Sequence, residues 1–464
     1  MKNKNLFVIK AGMLYVIGSF FSQGLRFVML PIFSRLMSPE AYGYIGAYEI
    51  WISVITVLVG LQTGATVANA YIDYGKKKID AYTVSVSWIG GISFVVIISL
   101  TALLRDALSS FFKLSPYIIV FGVCQSLFSY LTLLLCAKYR IQDKPIRYIA
   151  YTISNSSIGM FLGLIFILHM DSQKHMGYIL GILTAAIVVG CIALLRIFIE
   201  GKLVFNAEMN KYALKLSTPL IFHNIASIVS GRVNQMMLLQ IAGVSESGLY
   251  TFGNNFAYIV NALYTAFNQA YIPWYYKRLS EDDRENVRKA SKLYMKMFTI
   301  IVCALILVIP EIIKIMSGAK YHKIIFSIPF MLCGTYFSFL YTFPVNYEFY
   351  SKKTQFIAAG TCFSMVMNIG FNFLCIPRWG IRGAAIAFSI STFLLLLIHF
   401  VIAKFIIKGF ELDFYNFVPH IILVLLTIAL YYVLLSVWWF RWGMAVAFGI
   451  YFLFSGFRYI KSGD

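Results

Sequence analysis

The chain consists largely of apolar stretches of about twenty residues, separated by short polar segments. A stretch of this length crosses a bilayer as one helix. Charged residues make up 12% of the chain, against about 25% in soluble proteins. The sequence therefore predicts an all-α polytopic membrane protein. Fourteen spans are predicted, near 10–33, 40–68, 82–104, 116–137, 146–168, 177–199, 214–241, 247–275, 294–315, 324–348, 354–376, 380–406, 414–436 and 438–459.

The distribution of basic residues predicts how these spans are oriented. With the N-terminus inside, 27 of the 39 Lys and Arg residues fall in inward segments and 10 fall in outward turns. Basic residues accumulate on the cytoplasmic side of membrane proteins. Both termini are therefore predicted to be cytoplasmic. The net charge of +20 comes from these clusters, so it does not indicate nucleic acid as a partner.

A weak internal repeat divides the chain. A shift of 206 residues places Arg26 on Arg232 and Glu40 on Glu246. We therefore expect two pseudo-symmetric six-helix lobes, residues 1–200 and 201–407, followed by a C-terminal helix pair, residues 408–464. Parallel repeats of this kind generally hold the substrate between the lobes, near the membrane midplane. The charged segment 275–298 is predicted to be a short amphipathic helix on the inner surface.

Polar side chains form stripes along several predicted spans. Span eight has polar residues at intervals of four and three, on one helix face: Asn254, Tyr258, Asn261, Thr265 and Asn268. Span seven has Asn234 close to Arg232, and span eleven has Thr361, Ser364, Asn368 and Asn372. Any single stripe is typical of hydrogen bonds between membrane helices. Several stripes together favour a wet cavity, in which amides, hydroxyls and Tyr rings suit sugar hydroxyls.

Arg26, Glu49 and Arg232 are expected deep inside predicted spans, where charge is costly and usually functional. Arg26 and Glu49 are expected at depths of about 10 and 14 Å from the outer surface. They either form a structural ion pair or have a functional role, and the residues themselves leave both alternatives open. Arg232 has Asn255 where the repeat would need a carboxylate. It is therefore expected to contact a substrate anion, because its guanidinium fork suits phosphate oxygens.

Motifs for catalysis, cofactors or metals are not found in the sequence. The six His residues and seven Cys residues show no metal-ligand or disulfide spacing. A nucleotide-binding loop, a nucleophile motif and paired carboxylates are also missing. A membrane polymerase or glycosyltransferase needs a large outer loop for its catalytic residues, whereas the predicted outer turns are short. The sequence therefore predicts a protein without a cofactor that is not an enzyme.

Two short motifs resemble a known family. The stretch LPIFSRLMSPEAYGYIGAYE is similar to polysaccharide-biosynthesis flippases, the Wzx-type translocases of O-antigen and capsule, through Arg35, Ser38, Pro39, Glu40, Tyr42 and Gly43. The stretch IPRWGIRGAAIAFSIS resembles the family's opening of span twelve, through Pro377, Gly380, Gly383, Ala384 and Ala385. These flippases belong to the multidrug/oligosaccharidyl-lipid/polysaccharide exporter superfamily.

The resemblance implies a two-lobed transporter of a bacterial inner membrane that works by alternating access. Its substrate would be an undecaprenyl-pyrophosphate-linked oligosaccharide, a repeat unit of lipopolysaccharide O-antigen or of capsule, moved from the cytoplasmic to the periplasmic leaflet. Other polysaccharide-assembly membrane proteins would be its partners. The implied cationic cavity suits Arg26 and Arg232, and the implied ion coupling leaves Glu49 as the mid-span candidate. The alternatives are a drug/cation antiporter of the same superfamily, which would show acidic cavity groups, and a membrane polysaccharide polymerase.

Overall fold

The structure is a computed structural model that describes residues 21–462, with side chains as far as Ser455. Within this range the chain is helical and contains no strand. The helices of the first half are α1 (21–36), α2 (Pro39–Gly60), α3 (Val67–Tyr74), α4 (Ile79–Leu103), α5 (Arg105–Phe112), α6 (Pro116–Ile141), α7 (Pro145–Leu168), α8 (Lys174–Gly201) and α9 (Ala207–Ile241).

The second half continues with α10 (Val244–Ser280), α11 (Arg284–Met316), α12 (Ile328–Tyr350), α13 (Thr354–Val401), α14 (Val418–Val433) and α15 (Trp438–Ser462). Short 3₁₀ helices occupy Thr63–Thr66, Ala319–Phe326 and Phe414–Asn416, and a π-helical turn occupies Ile402–Ile407. Every predicted span overlaps one of these helices. The start of the predicted first span lies outside the described residues. Both chain ends also lie outside them.

The membrane character of the helices agrees with the predicted fold class. Among the described residues, nine helices are long and apolar enough to cross a membrane. One of them, Thr354–Ile407, has 54 residues, or about 80 Å at 1.5 Å per residue, so it is long enough to span twice. α9 and α10 are more polar and are not among the nine. The prediction of an all-α polytopic membrane fold is confirmed.

A break at Gly380 divides α13 into the two predicted spans. Gly380 has a φ of +53°, a left-handed conformation that strains any residue with a side chain. A Cβ at Gly380 would also lie 2.9 Å from Glu246 Oε2. Glu246 accepts a hydrogen bond at 3.0 Å from the backbone N–H of Ile381 and so caps the helix that follows the break. Gly380 of the second motif, and Glu246, the repeat counterpart of Glu40, thus have a local structural role.

The helix order supports the internal repeat. α2 begins at Pro39 and α10 at Val244, and α4 begins at Ile79 and α11 at Arg284, an offset of 205 residues in both cases. The chain divides into two compact units, Met1–Gln240 and Ile241–Asp464. Most of α9 belongs to the first unit, where Ser85 Oγ donates to Asn210 Oδ1 at 2.8 Å. The predicted domain bounds at 1–200, 201–407 and 408–464 stay a prediction.

Tyr130 occupies the centre of the first unit, between α2 and α4. Its ring lies so close to Gly60 and Gly90 that a Cβ at either glycine would overlap it. The phenol oxygen is 2.9 Å from Thr63 Oγ1 and donates to the carbonyl of Val86 at 3.0 Å. Glycines therefore allow the close helix approach that membrane proteins use for packing.

The connection between α10 and α11 differs from the prediction. The expected amphipathic helix over 275–298 is wrong, because α10 continues to Ser280 and α11 already begins at Arg284. Asp283 caps α11 by accepting from the backbone N–H of Asn286. The alternating charges therefore belong to the ends of two long helices. Ion pairs between residues four apart, such as Lys289–Glu285 at 3.0 Å, stabilise these helix ends.

Arg441 anchors the C-terminal helix pair to the second unit. Its side chain is fully buried and contacts both carboxylate oxygens of Glu311 on α11, at 2.5 and 3.1 Å. It also donates to the carbonyl of Leu434 at 3.0 Å and to that of Leu307 at 2.5 Å. A bidentate pair with further carbonyl acceptors satisfies the buried guanidinium. This contact holds the turn between α14 and α15 against α11.

Candidate functional site

In the first unit, two arginine side chains lie near the carboxylate of one glutamate. Glu49 Oε2 of α2 lies 3.7 Å from Arg232 Nη1 of α9, and Glu49 Oε1 lies 4.0 Å from Arg26 Nη1 of α1. The Arg26 side chain is 60% exposed, and those of Glu49 and Arg232 are each 24% exposed. We call these three residues the charge triad. Two guanidinium groups against one carboxylate leave it with a net charge of +1.

The triad corrects the prediction that Arg232 lacks a carboxylate partner. The repeat places Asn255 opposite Arg232, but the nearest carboxylate comes from the other half of the repeat, because α9 packs with the first unit. Glu49 is therefore shared between the two arginines and does not form an exclusive pair with Arg26. Both distances exceed the 2.7–2.9 Å typical of charge-assisted hydrogen bonds, so the pairing is loose.

Arg232 and Asn234 lie on different sides of α9 and have different surroundings. Arg232 Nη1 donates to Gln235 Oε1 at 3.2 Å, which fixes the guanidinium along α9. Asn234 is only 6% exposed and Gln235 only 1%. Two residues correspond to about 200° around a helix, so Asn234 and Arg232 point to opposite sides of α9. The structure thus places Asn234 in packed surroundings, although the sequence suggested that it accompanies Arg232 in one site.

The polar stripe of α10, in the second unit, is open along its middle. Tyr258, Asn261 and Thr265 are exposed, Asn254 is half-buried, and Asn268 is buried. Asn261 donates to the Tyr264 phenol at 2.8 Å, and Thr265 donates to Asn261 at 3.5 Å. The exposed part therefore presents hydroxyls and an amide beside aromatic rings, which can hydrogen-bond and stack with sugars.

The stripe of α13 has the structural role that the sequence left as the alternative. Ser364 Oγ donates to the carbonyl of Ser391 at 2.9 Å, and Asn368 Nδ2 donates to Ser391 Oγ at 3.0 Å. Asn372 Nδ2 donates to Asn368 Oδ1 at 2.9 Å. All of these side chains are buried. They join the two halves of α13 by hydrogen bonds, as polar residues do between membrane helices.

A buried acid and base that the sequence reasoning missed lie in the second unit. Glu348 of α12 and His399 of α13 both have fully buried side chains, and Glu348 Oε1 is 2.8 Å from His399 Nδ1. The other two polar atoms, Glu348 Oε2 and His399 Nε2, have no hydrogen-bond partner among the described residues. The two residues are 51 positions apart, so no periodic pattern connects them. We call them the Glu–His pair.

Another buried carboxylate lies outside the predicted spans, in the loop before α14. Glu411 is 4% exposed and accepts from the Tyr275 phenol at 3.1 Å. Burial raises the pKa of Glu411 to about 7, and the Tyr275 hydrogen bond opposes part of that shift. Arg288 Nε holds the same loop by donating to the backbone carbonyl of Glu411 at 3.1 Å.

Over the part of the chain that the structure describes, no three His, Cys, Asp or Glu side chains come together in a group that could hold a metal ion.

Two proteins of Haemophilus influenzae are similar in sequence. One, described as an uncharacterized membrane protein, is 25% identical over 388 residues, which cover 78% of this chain and 89% of the relative. The other, described as Lsg locus putative protein 1, is 24% identical over 376 residues, which cover 78% of this chain and 90% of the relative.

Solved transporter structures share the fold. The lipid II flippase MurJ in an inward closed conformation has a TM-score of 0.72 at 16% identity, covering 97% of this chain and 99% of that chain. An inward-facing multidrug resistance MATE family transporter of the MOP superfamily has a TM-score of 0.67 at 14% identity, covering 83% of this chain and 94% of that chain. At these identities the likeness shows the fold alone, which this chain shares with the lipid II flippase and the MATE family transporter.

The family is shown by the sequence match along the first half of the chain. Residues 8–278 match the family described as polysaccharide biosynthesis protein. This region covers more than half of the 464 residues and includes the charge triad and nearly all of α10. The chain is a multi-pass membrane protein with a flippase-like transporter fold, and it belongs to the polysaccharide biosynthesis protein family.

Proposed function

We propose that the protein is a flippase that moves an undecaprenyl-pyrophosphate-linked oligosaccharide, an O-antigen or capsule repeat unit, from the cytoplasmic to the periplasmic leaflet by alternating access. The charge triad carries this proposal. Its net positive charge lies on α1, α2 and α9, which overlap the predicted spans one, two and seven, where an unneeded charge would be costly. Membership of a polysaccharide biosynthesis family supports a substrate that combines sugar with an anionic lipid carrier.

The long contact between Arg232 and Glu49 allows a phosphate oxygen to replace the carboxylate as the partner of Arg232. A guanidinium locked to a carboxylate by two short hydrogen bonds would have to lose them before it met a phosphate. Arg232 and Arg26 lie 3.7 and 4.0 Å from Glu49. Pyrophosphate oxygens therefore compete with one carboxylate for two cations. Glu49 in turn lowers the net charge of the site from +2 to +1 and is the candidate for ion coupling.

The α10 stripe is the proposed contact for the sugars. Tyr258, Asn261 and Thr265 are exposed, and their hydroxyl and amide groups both donate and accept hydrogen bonds. Asn254, which is half-buried, and the buried Asn268 lie on the same stripe and complete the proposed set on α10. A purely apolar solute would leave these groups unpaired, which is costly away from water.

The proposed setting is the bacterial inner membrane, with both termini cytoplasmic. Translocation makes and breaks no covalent bond, so the proposal requires neither a catalytic residue nor a cofactor. The lipid bilayer supplies the carrier lipid, and the proposed protein partners are the other membrane proteins that assemble the polysaccharide.

Substitution of Arg232 tests the proposal. We expect Arg232→Ala to abolish surface polysaccharide in a flippase-deficient strain while protein abundance stays normal, because Arg26 still neutralises Glu49. Arg232→Lys should restore activity partly, since it keeps the charge but lacks the bidentate fork. The matched control is Arg105→Ala, because the Arg105 side chain is 62% exposed and forms an ion pair with its neighbour Asp106 at 3.6 Å. Surface polysaccharide and immunoblots are measured together.

Normal transport by the Arg232→Ala variant would contradict the proposed function. Full surface polysaccharide with alanine at position 232 would mean that this arginine does not handle the substrate. Loss of drug resistance without loss of polysaccharide would favour the drug/cation antiporter instead.

A further inference from the structure

Basic side chains cluster in the first unit where α6 ends, α7 begins and α8 ends. Arg140 and Arg147 lie on either side of the turn between α6 and α7, and both side chains are exposed. Arg147 Nη1 lies 3.4 Å from Glu200 Oε1, near the end of α8. Arg196 is exposed one helical turn before Glu200. We call Arg140, Lys144, Arg147 and Arg196 the basic patch.

Two tyrosines hold cations of the basic patch in place. Arg140 Nη2 donates to the Tyr148 phenol at 3.1 Å, and the guanidinium lies 5.1 Å from the centre of that ring. Lys144 Nζ and the Arg147 guanidinium lie 5.8 and 5.6 Å from the centre of the Tyr139 ring. Cation–π contacts of this kind attract a cation without neutralising it. The charge of the patch is therefore held in position and stays available to an anion.

The carboxylates beside the basic patch are shared with a buried lysine. Lys138 has a fully buried side chain, and its Nζ lies 3.0 Å from Asp80 Oδ1 and 2.5 Å from Glu200 Oε2. Glu200 therefore divides its two oxygens between Lys138 and Arg147. Together with Lys138, the four patch residues make five cations, against the three carboxylates of Asp80, Asp143 and Glu200, so the net charge of this group is +2.

Exposed apolar side chains accompany the basic patch. Ile146, between Lys144 and Arg147 on the turn into α7, is 75% exposed, and Ile199, next to Glu200 on α8, is 71% exposed. Both isoleucines lie on helices that are long and apolar enough to cross a membrane. Basic and tyrosine side chains beside apolar ones are typical of the level at which lipid headgroups meet acyl chains. A soluble anion would meet only the charges, whereas a lipid presents a partner to both kinds of side chain.

We propose that the basic patch binds the headgroup of an anionic phospholipid, whose acyl chains lie against Ile146 and Ile199. Basic clusters at a membrane surface attract anionic lipids, and the guanidinium forks of Arg140 and Arg147 suit phosphate oxygens. With the predicted orientation of the chain, the lipid belongs to the cytoplasmic leaflet. The site lies entirely within the first unit and does not depend on the proposed flippase function.

Lipid binding by the purified full-length protein tests this site. Native mass spectrometry counts the lipids bound in detergent when phosphatidylglycerol or phosphatidylcholine is added at equal concentration. We expect the unsubstituted protein to bind phosphatidylglycerol more strongly. The double variant Arg140→Gln/Arg147→Gln should bind it about 25-fold more weakly, because each basic residue near anionic lipid contributes about fivefold in affinity. If this variant does not fold, Arg140→Gln alone should show a loss of about fivefold.

The matched control removes two positive charges from the other end of the first unit. Arg105→Gln/Lys113→Gln changes two exposed side chains beyond the far end of α4, whose first turn carries Asp80. The 25 residues of α4 separate the two places by about 35–40 Å. We expect this control to bind phosphatidylglycerol like the unsubstituted protein.

Three results would overturn the proposal. Equal losses in the two double variants would mean that total charge, and not the basic patch, attracts the lipid. Equal binding of phosphatidylglycerol and phosphatidylcholine by the unsubstituted protein would mean that the site does not select a negative headgroup. Displacement of the lipid by an equal concentration of glycerol 3-phosphate would mean that the apolar side chains do not contribute and that the site is one for soluble phosphate.

Discussion

Replacement of Glu311 by Gln is expected to loosen the C-terminal helix pair. The change keeps the size of the side chain but removes the negative charge opposite Arg441, whose side chain is fully buried. Breaking a buried pair in this way costs about 3–5 kcal/mol, because it leaves an uncompensated charge. The carbonyls of Leu434 and Leu307 still accept from Arg441, so we expect the lower end, about 3 kcal/mol. That corresponds to a fall of about 6–12 °C in the melting temperature if the second unit unfolds cooperatively.

The assay is thermal denaturation of the purified protein, followed by loss of the monodisperse peak in size-exclusion chromatography. Glu285→Gln is the matched control, since it lies on the same helix and pairs with Lys289 at 3.0 Å, but both side chains are mostly exposed. Exposed pairs contribute little, so no shift is expected there. Equal melting temperatures for Glu311→Gln and the unsubstituted protein would refute the view that this buried pair anchors α14 and α15.

Three further predictions concern local features of the second unit. Gly380→Ala should lower the melting temperature, because the left-handed φ of +53° disfavours a side chain and the Cβ would approach Glu246; Gly370→Ala, with open space around the added Cβ, should not. Ser391→Ala should cost about 1–3 kcal/mol by leaving the buried amide of Asn368 without that acceptor, and an unchanged melting temperature would contradict this. The pKa of Glu411 is raised to about 7 from 4.5, so the folded state holds an extra proton in that window and stability should fall as pH rises from about 4.5 to 7. Glu411→Gln should remove this slope in melting temperature against pH, and an unaltered slope would contradict the assignment.

The shared contact in the charge triad affects how the loss of one arginine should change protein abundance. If Glu49 were paired with Arg26 alone, removal of Arg26 would strand a carboxylate. Because Arg232 lies 3.7 Å away on the other carboxylate oxygen, either arginine can partly compensate for loss of the other. Abundance should therefore respond most to removal of both arginines, whereas substrate binding should respond to each one. This separation of stability from transport is what makes the Arg232 experiment interpretable.

Periodicity and composition in the sequence determined the helical membrane architecture. Apolar runs of bilayer length predicted the all-helical membrane fold, because a backbone in lipid must satisfy its hydrogen bonds within each helix. The glycine-containing motif near Gly380 predicted the start of a new span, and the structure explains it by a left-handed residue capped by Glu246. These are local properties, or properties of one helix face, and a linear pattern records them.

Tertiary structure alone decided which distant side chains meet. Glu49 approaches Arg232 across 183 positions, and Glu348 approaches His399 across 51. No spacing rule encodes these contacts, because they depend on how rigid helices cross and on which unit α9 joins. The same holds for the stripes, since the polar pattern on α13 resembles that on α10 while one is buried between helix halves and the other is partly exposed. The sequence determines which face of a helix is polar. Whether that polar face is buried depends on which neighbouring helix packs against it.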